Sequence, residues 1–164
     1  MNVNAATMAS RKSTFAARLY RTLTTAGLPL VELLLQQRTM RGKEESARVD
    51  ERRGVPSIER PRGPLVWIHA ASIGEAQSVL VLIERILRTS PDLNILMTTG
   101  TVTSAQMMGQ RLPGRAIHQY VPVDRIGWVR SFLDYWKPGA ALWVESELWP
   151  NLVLESKRRG IPLA

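Results

Sequence analysis

Two glutamates stand where a carboxylate could take part in catalysis. Glu75 lies in the segment HAASIGEAQ, and Glu145 opens the segment ESELWPN. A carboxylate can accept a proton as a general base, or it can offset positive charge that develops in a transition state. Each glutamate follows an apolar run of strand length, so both candidates fall where a predicted strand gives way to a helix.

A structural role is open for both glutamates. Ser72 with Glu75 three residues later is the pattern of a capping box, in which hydroxyl and carboxylate bind backbone N–H groups at a helix start. The helix dipole would also lower the pKa of such a carboxylate and weaken it as a base. Ser146 or Glu147 can cap the next helix, and Glu145 and Glu147 can be partners of its dipole.

Other reactive side chains are few. The chain has no cysteine, which excludes a disulfide scaffold, a thiolate zinc site and a cysteine nucleophile. His69 and His118 lie far apart, give no metal-ligand spacing, and are expected to be hydrogen-bonded interior residues. Trp149 is predicted to belong to the core. The hydroxyl-rich segment 98–104 could bind a phosphate or sugar, or could cap a helix. Gly74 stands alone and does not form the three-glycine motif of a dinucleotide-binding turn.

The elements that must position these residues alternate regularly after Pro64. Apolar strands alternate with helices, which predicts a doubly wound parallel α/β sheet covered on both faces. Ligands of such sheets gather at the carboxyl ends of the strands, which is where Glu75 and Glu145 fall. The predicted strands are 65–70, 94–99, 117–123 and 140–145, the predicted helices are 73–90, 102–112, 127–136 and 148–159, and a fifth strand opens at 161–164.

Positive charge is concentrated near the N-terminus. The 164 residues carry a formal charge of +8, and residues 1–63 hold 12 Lys and Arg against 6 Asp and Glu, whereas residues 64–164 hold 10 against 8. We therefore divide the chain into a basic arm and linker, 1–63, and a nearly neutral domain, 64–164. Such an arm suits nucleic acid, anionic lipid or another polyanion. The mixed-sign segment 38–62 is expected to be a connecting segment or solvated face.

The arm contains a candidate amphipathic helix between residues 15 and 38. Its longest uncharged stretch, 22–31, is much shorter than the roughly 20 residues that span a bilayer, and Pro29 is expected to break or kink it. The helix can lie at a membrane surface with leucines toward acyl chains, or it can pack on its own domain. The apolar stripe is Phe15, Leu19, Leu23 and Ala26, and the basic residues around it are Arg11, Lys12, Arg18 and Arg21.

Five segments together resemble a known family. HAASIGE, ILMTTGTVTSA, YVPVD, VESELWPN and KRRGIPL, in this order, are similar to the N-terminal half of the 3-deoxy-D-manno-octulosonic acid (Kdo) transferases of lipopolysaccharide synthesis. The resemblance runs from about Leu19 to Ala164 and implies the Rossmann-like acceptor domain of a glycosyltransferase B fold. The donor-binding C-terminal domain is not included, so the chain is expected to be a fragment or a truncated reading frame. Residues 101–104 (TVTS) depart from the T-P-T-G that is common in the family.

The resemblance also implies an activity. It indicates transfer of Kdo from CMP-Kdo to a lipid A precursor (lipid IVA) with inversion, with Glu75 as proton acceptor and Glu145 as transition-state stabiliser. No metal or cofactor is implied. The expected partners are the lipid precursor and the anionic cytoplasmic face of the inner membrane, not nucleic acid. This half alone is expected to be inactive. The alternatives are a basic nucleic-acid or anionic-lipid binding module without catalysis, and a related glycosyltransferase with another sugar donor.

Overall fold

Four parallel strands lie at the centre of the structure, a computed structural model that describes residues 19–144 and 149–164. The strand order is β3-β2-β1-β4, and each neighbouring pair is parallel. This arrangement confirms the predicted Rossmann-like α/β sheet, in which helices return the chain to the same end of the sheet. The strands are β1 Leu65–His69, β2 Asn94–Thr99, β3 Ala116–Tyr120 and β4 Ala140–Trp143.

Helices cover both faces of this sheet. Successive residues of a strand point to opposite faces, so Trp67 packs in one core layer with Phe132 and Leu152, while Ile68 packs in the other with Ile83. Both layers exclude water, which is the doubly wound arrangement that the sequence predicts. The helices are α1 Leu28–Met40, α2 Ile73–Ser78, α3 Leu80–Thr89, α4 Val102–Arg111, α5 Ile126–Trp136 and α6 Pro150–Arg158, and a 3-10 helix spans Ser46–Arg53.

The predicted elements differ from the observed ones mainly at their ends. The helix expected over 73–90 is two helices that meet at Val79, the C-cap of α2 and the N-cap of α3. Strand β3 ends at Tyr120, three residues before its predicted end, because the following backbone turns toward the 3-10 helix, where the Val123 N–H donates to the Arg52 carbonyl. The expected fifth strand is present as one parallel bridge, between Leu163 and Ala141 of β4.

The N-terminal part of the structure is helical on both sides of a break. We call residues 19–26 the leading helix; it is separated from α1 by Gly27, and Pro29 lies in the first turn of α1. Proline is tolerated there because its missing N–H would have no partner within the helix. The predicted interruption near Pro29 is confirmed. Four residues of the predicted amphipathic pattern lie outside the described residues: Arg11, Lys12, Phe15 and Arg18.

The segment after α1 is bound to the sheet. Glu44, Glu51 and Arg52 are buried, so the expectation of a connecting segment or solvated face is wrong for these residues. Opposite charges within the segment pair with each other, and therefore they can be buried together. Gly54 ends the 3-10 helix with φ +76°, and a Cβ there would collide with the carbonyl oxygen of Trp128 in α5. Only glycine permits this close approach of the segment to α5.

Candidate active site

Glu75 lies at the carboxyl edge of the sheet, in the turn from β1 to α2. Its Oε2 accepts hydrogen bonds from the backbone N–H groups of Ala71 and Ser72, both at 3.0 Å, and its own N–H donates to Ser72 Oγ at 3.2 Å. This geometry confirms the predicted capping box. Among the described residues, the other carboxylate oxygen, Oε1, accepts no hydrogen bond, so it is the oxygen that a substrate proton could reach.

The capping box controls the charge of Glu75. The N–H of Ser72 lowers the pKa of this carboxyl most, against a smaller opposing effect of burial, and Ala71 and the nearby His69 lower it further. The group is therefore a stable carboxylate at neutral pH. These hydrogen bonds weaken Glu75 as a base, and they leave Oε1 as the oxygen that can accept a proton.

His69, at the end of β1, and His118, in the middle of β3, are both held by hydrogen bonds as predicted. His69 is buried, and its Nδ1 lies 2.9 Å from Thr98 Oγ1, which also accepts the Trp67 indole N–H at 2.8 Å. These contacts fix the imidazole beside the turn that carries Glu75. The hydroxyl of Thr98 is thereby used inside the protein and is not presented to a ligand.

His118 is neutral in the folded protein. Arg48 donates to its Nδ1 at 3.0 Å, so the proton is on Nε2, which donates to Thr99 Oγ1 at 2.9 Å. Burial, with the positive charges of Arg48 and Arg52, lowers the pKa of His118 to about 3. A histidine that stays neutral at physiological pH cannot supply a proton as a general acid there.

A cavity of about 210 Å³ opens beside these residues. Ala71, whose N–H binds Glu75, is part of its wall, so the Glu75 carboxylate is one hydrogen bond away from the lining. The cavity is bounded by groups from the ends of β1, β2 and β3 and from the start of α6. Its lining residues are Arg52, His69, Ala71, Gly100, Val121, Pro122, Val123, Asp124 and Trp149.

Trp149 belongs to this cavity and not to the core. It is 40% exposed, so the prediction that it is a core residue is wrong. The physical reason is its position as the N-cap residue of α6, which lies beyond the last residues of the strands and outside the two packed layers. An indole that is half open to a cavity is suited to contact the apolar face of a sugar or an acyl chain.

Arg52 was not identified as a site residue from the sequence. Its guanidinium is buried and donates to the carboxylate of Glu44, at 2.9 Å from Nε to Oε2, and to the carbonyl oxygens of Gly100 and Val121. It thus joins the ends of β2 and β3 at the cavity wall. A local pattern could not reveal this role, because the two carbonyls lie 48 and 69 positions further along the chain.

The turn after β2 has a cap of its own. Thr101 Oγ1 accepts the N–H of Ser104 at 3.2 Å, and Ser104 Oγ accepts the N–H of Thr101 at 3.3 Å, which forms a second capping box at the start of α4. The two hydroxyls therefore serve the helix, which agrees with the capping interpretation of segment 98–104. The cap forms although residues 101–104 lack the proline and glycine of the common T-P-T-G.

Glu145, the second candidate, lies outside the described residues, as do the potential caps Ser146 and Glu147. The structure places the residues on both sides of them. The Val144 N–H donates to the His69 carbonyl at 2.9 Å, and the N–H groups of Asn151 and Leu152 donate to the carboxylate of Asp124, each at 2.9 Å. Both flanks of the Glu145 segment are therefore attached to residues that line the cavity.

The described residues contain neither a metal-binding cluster nor a helix that could span a membrane. Within residues 19–144 and 149–164, no group of three or more His, Asp or Glu side chains is arranged to hold a metal ion. None of the helices described there reaches the combination of length and hydrophobicity that crossing a bilayer requires.

Comparison with known proteins identifies the family. Residues 47–164 match the family model described as 3-deoxy-D-manno-octulosonic-acid transferase (kdotransferase). The chain is 42% identical over 91% of its length to a probable 3-deoxy-D-manno-octulosonic acid transferase, mitochondrial, of Arabidopsis thaliana, and 37% identical over 87% to the 3-deoxy-D-manno-octulosonic acid transferase of Rickettsia bellii. The Haemophilus influenzae protein of the same name is 29% identical over 82% of the chain. The match covers 33%, 34% and 32% of these relatives, so the chain spans about a third of their length. Because the family model covers most of the chain, the chain belongs to the 3-deoxy-D-manno-octulosonic-acid transferase family.

Proposed function

We propose that this chain is the acceptor-binding part of an inverting glycosyltransferase that transfers Kdo from CMP-Kdo to a lipid A precursor, lipid IVA, in lipopolysaccharide synthesis. Residues 64–164 form the acceptor domain of a glycosyltransferase B fold. Within residues 1–63, the segment that includes Glu44, Glu51 and Arg52 is bound to this domain, and the remainder forms a membrane-associating arm and linker. The observation that carries the proposal is the position of Glu75, at the carboxyl edge of the sheet and one hydrogen bond from the cavity wall, in a chain of this family.

In this mechanism Glu75 is the proton acceptor. Oε2 stays bound to the capping N–H groups while Oε1 takes the proton from the attacking hydroxyl of the acceptor. The acceptor oxygen then forms a bond to the anomeric carbon of Kdo, and CMP leaves from the opposite face, which inverts the configuration. Charge would build up on the sugar during this step, and the carboxylate of Glu145 offsets it. No metal or cofactor takes part, and CMP-Kdo is bound by a C-terminal donor domain.

The arm supports attachment to a membrane surface. Leu19 and Leu23 of the leading helix are 49% and 62% exposed, and Leu30, Leu33 and Leu34 of α1 are exposed as well. Leu19 and Leu23 are four residues apart, and Leu33 and Leu34 follow Leu30 by three and four residues, so each set shares one side of its helix. Exposed apolar stripes of this kind mark a contact with a partner or a membrane. Basic residues nearby favour an anionic membrane. We therefore place the protein peripherally on the cytoplasmic face of the inner membrane, where its acceptor is embedded.

The decisive experiment measures Kdo transfer to lipid IVA by this chain combined with a C-terminal donor domain of the family. The Glu75→Gln variant should lose about 100- to 10,000-fold in rate, the usual contribution of a general base. Ser72→Ala is the matched control, because it removes the cap hydroxyl but keeps the carboxylate and the backbone donors. It should cost about 1 kcal/mol of stability and retain most of the rate.

Two results would contradict this proposal. Transfer by Glu75→Gln at the wild-type rate would remove the base assignment. Transfer by this chain without any donor domain would show that the chain is not merely the acceptor half, since we expect the isolated chain to be inactive. The Glu145→Gln variant should lose about 100- to 1,000-fold, as expected for removal of one charge-stabilising group.

A further inference from the structure

A groove of about 300 Å³ lies between α1 and the segment that follows it. On the α1 side it is lined by Val31, Leu34, Leu35 and Arg38, whose i, i+3, i+4, i+7 spacing places them on one face of the helix. Three of these four side chains are aliphatic, and Val123, from the chain after β3, adds another. The groove therefore offers a largely aliphatic surface along one face of α1.

The charged side chains of the groove are paired with each other and with backbone. Glu44, which is buried, accepts hydrogen bonds from Arg38 Nε at 2.8 Å and from Arg52 Nε at 2.9 Å. The remaining nitrogens of Arg52 donate to the carbonyl oxygens of Val121 and Gly100. Because these charges already have partners, a ligand in the groove does not need to supply polar groups to them. The contact that remains to be made is with the aliphatic side chains.

The groove adjoins the cavity beside Glu75. Arg52 and Val123 line both spaces, so these two side chains form a shared wall between them. The cavity side of this wall carries the half-exposed indole of Trp149, whereas the groove side carries the aliphatic side chains of α1. An amphiphile with a sugar in the cavity can therefore lay an apolar chain in the groove while it stays in contact with the protein.

The charge of the lining favours an anionic amphiphile. Two arginines, Arg38 and Arg52, face one carboxylate, Glu44, which leaves one positive charge in excess. The side chain of Arg38 is 43% exposed, so this positive charge is accessible from solvent. A phosphorylated lipid matches both properties of the groove, its aliphatic surface and its excess positive charge.

The rim of the groove continues the exposed apolar side of α1. Leu34 lines the groove and is 46% exposed, so its side chain faces both the groove and the outside. Leu33, the preceding residue, is 59% exposed and does not line the groove. An apolar chain that comes from a surface bound by the outer leucines thus meets Leu34 at the entrance.

We propose that this groove holds one acyl chain of the lipid acceptor while the sugar of the acceptor occupies the adjoining cavity. The chain passes over Leu34 and packs along Val31, Leu35 and Val123. Assignment of the chain to the acceptor rests on the function proposed above, whereas the affinity of the groove for an acyl chain does not. The two statements therefore need separate experiments.

The groove is tested first without any enzyme assay. Decanoate, kept below the concentration at which it aggregates, is titrated into the full chain, and the methyl groups are followed by NMR. We expect shifts and intermolecular NOEs at Val31, Leu34, Leu35 and Val123. The Leu34→Gln variant should bind decanoate about tenfold more weakly, the effect of withdrawing about two methylene groups from apolar contact. Val31→Phe, which fills part of the groove, gives a second variant with the same expected direction.

The matched control for this titration is Leu33→Gln. It makes the same change one residue away, outside the groove, and should bind decanoate as the wild type does. Shifts confined to Leu30 and Leu33, or equal weakening by Leu33→Gln and Leu34→Gln, would overturn the groove as a binding site. NOEs from residues 1–18 to the groove methyl groups without decanoate would also overturn it, because the chain itself would then cover the groove.

The assignment to the acceptor is tested by kinetics in the two-domain transferase. Leu34→Gln should raise KM for lipid IVA about five- to tenfold with the change concentrated in KM and not in kcat, as expected when binding energy common to substrate and transition state is removed. Leu82→Gln changes a leucine of α3 with similar exposure, 40%, and should match the wild type in both constants.

Three kinetic results distinguish the inference from the proposed function. An unchanged KM in Leu34→Gln would refute the acceptor assignment. An equal rise in Leu33→Gln would assign the effect to adsorption on the membrane and would refute it as well. If the wild-type transferase transferred no Kdo, the proposed function would fail, while the decanoate titration would still decide whether the groove binds an acyl chain.

Discussion

The helices α2 and α6 begin at the same edge of the sheet but are capped in different ways. Helix α2 contains Glu75 and α6 follows Glu145 in the chain, the two glutamates with proposed catalytic roles. The start of α2 is capped by Ser72 and Glu75, which are three residues apart. The start of α6 is capped by Asp124, which lies 27 positions before Asn151 in the chain. The first cap is a local property of its sequence, whereas the second exists only after α5 and α6 have packed together. Glu75 is therefore positioned by its own turn, whereas the start of α6 is fixed by tertiary structure.

The two caps should differ most in how much each contributes to the free energy of unfolding. Asp124→Ala leaves two buried N–H groups of α6 and the Tyr20 hydroxyl without their acceptor, so it should lower the free energy of unfolding by about 3 kcal/mol. Urea unfolding of the chain at neutral pH measures this loss. A loss no larger than that of Ser72→Ala would show that the distant cap is not the stronger one.

A smaller effect concerns the body of α6, where Glu155 is buried among Arg21, Arg130, Arg158 and Arg159. Burial alone would raise the pKa of Glu155, but the hydrogen bonds from Arg130, Arg159 and Arg158 lower it to about 2. The unfolded chain takes up the proton first, so this carboxylate stabilises the fold fully above its ordinary pKa of 4.5 and loses its effect as the pH falls toward 2.

The Glu155→Gln variant makes this effect measurable. It should cost about 2 kcal/mol at pH 7, and its difference from the wild type should shrink between pH 4.5 and 2. Thermal or urea unfolding at a series of pH values gives both quantities. A difference that stays constant through this range would show that the arginine cluster does not hold Glu155 as a carboxylate.

The local caps should show a modest effect. Ser72→Ala and Thr101→Ala each remove one capping hydroxyl and should lower the free energy of unfolding by about 1 kcal/mol. Ser78→Ala is a suitable control, because the Ser78 hydroxyl only donates to the Glu75 carbonyl within the same helix. It should change stability by less than about 0.5 kcal/mol. Equal effects of all three variants would remove the special role of the caps.

The smallest expected difference between the two caps is the direction in which folding shifts the pKa of the capping carboxylate. Hydrogen bonds from the Ser72 and Ala71 N–H groups lower the pKa of Glu75, whereas burial raises the pKa of Asp124 despite its own hydrogen bonds. Glu75 therefore stabilises the fold above its ordinary pKa and less as the pH falls, while the contribution of Asp124 is largest below its ordinary pKa and decreases as the pH rises. Carboxyl ¹³C titration should place the midpoint of Glu75 below 4.5 and that of Asp124 above 3.8. Shifts in the same direction would contradict the contrast.

The features that could be predicted from the sequence are those set by residues close together in the chain. The alternation of apolar strands and helices indicated the parallel sheet, and the bounds 94–99 of β2 agree with the structure. The Ser72–Glu75 pattern predicted a cap that the structure contains. Such features need only the periodicity and hydrogen-bonding chemistry of one short segment, which any sequence window includes.

Long-range pairings were not accessible in this way. Arg52 binds Glu44 and the carbonyls of two strand ends, and those two carbonyls lie far from it in the chain. Asp124 belongs to the segment YVPVD that contributed to the family resemblance, and its capping role could not be seen because α6 begins far along the chain. Trp149 was expected to belong to the core, whereas its exposure follows from its position at a helix start.

The burial of Glu51 also affects how the protein behaves among other copies of itself. Glu51 Oε2 accepts the Tyr120 N–H at 2.6 Å at the outer side of β3, so a side chain takes the place that a neighbouring strand would occupy. Unpaired strand edges are templates for association between chains. The β3 border of the sheet is in this way closed to strand addition by a carboxylate.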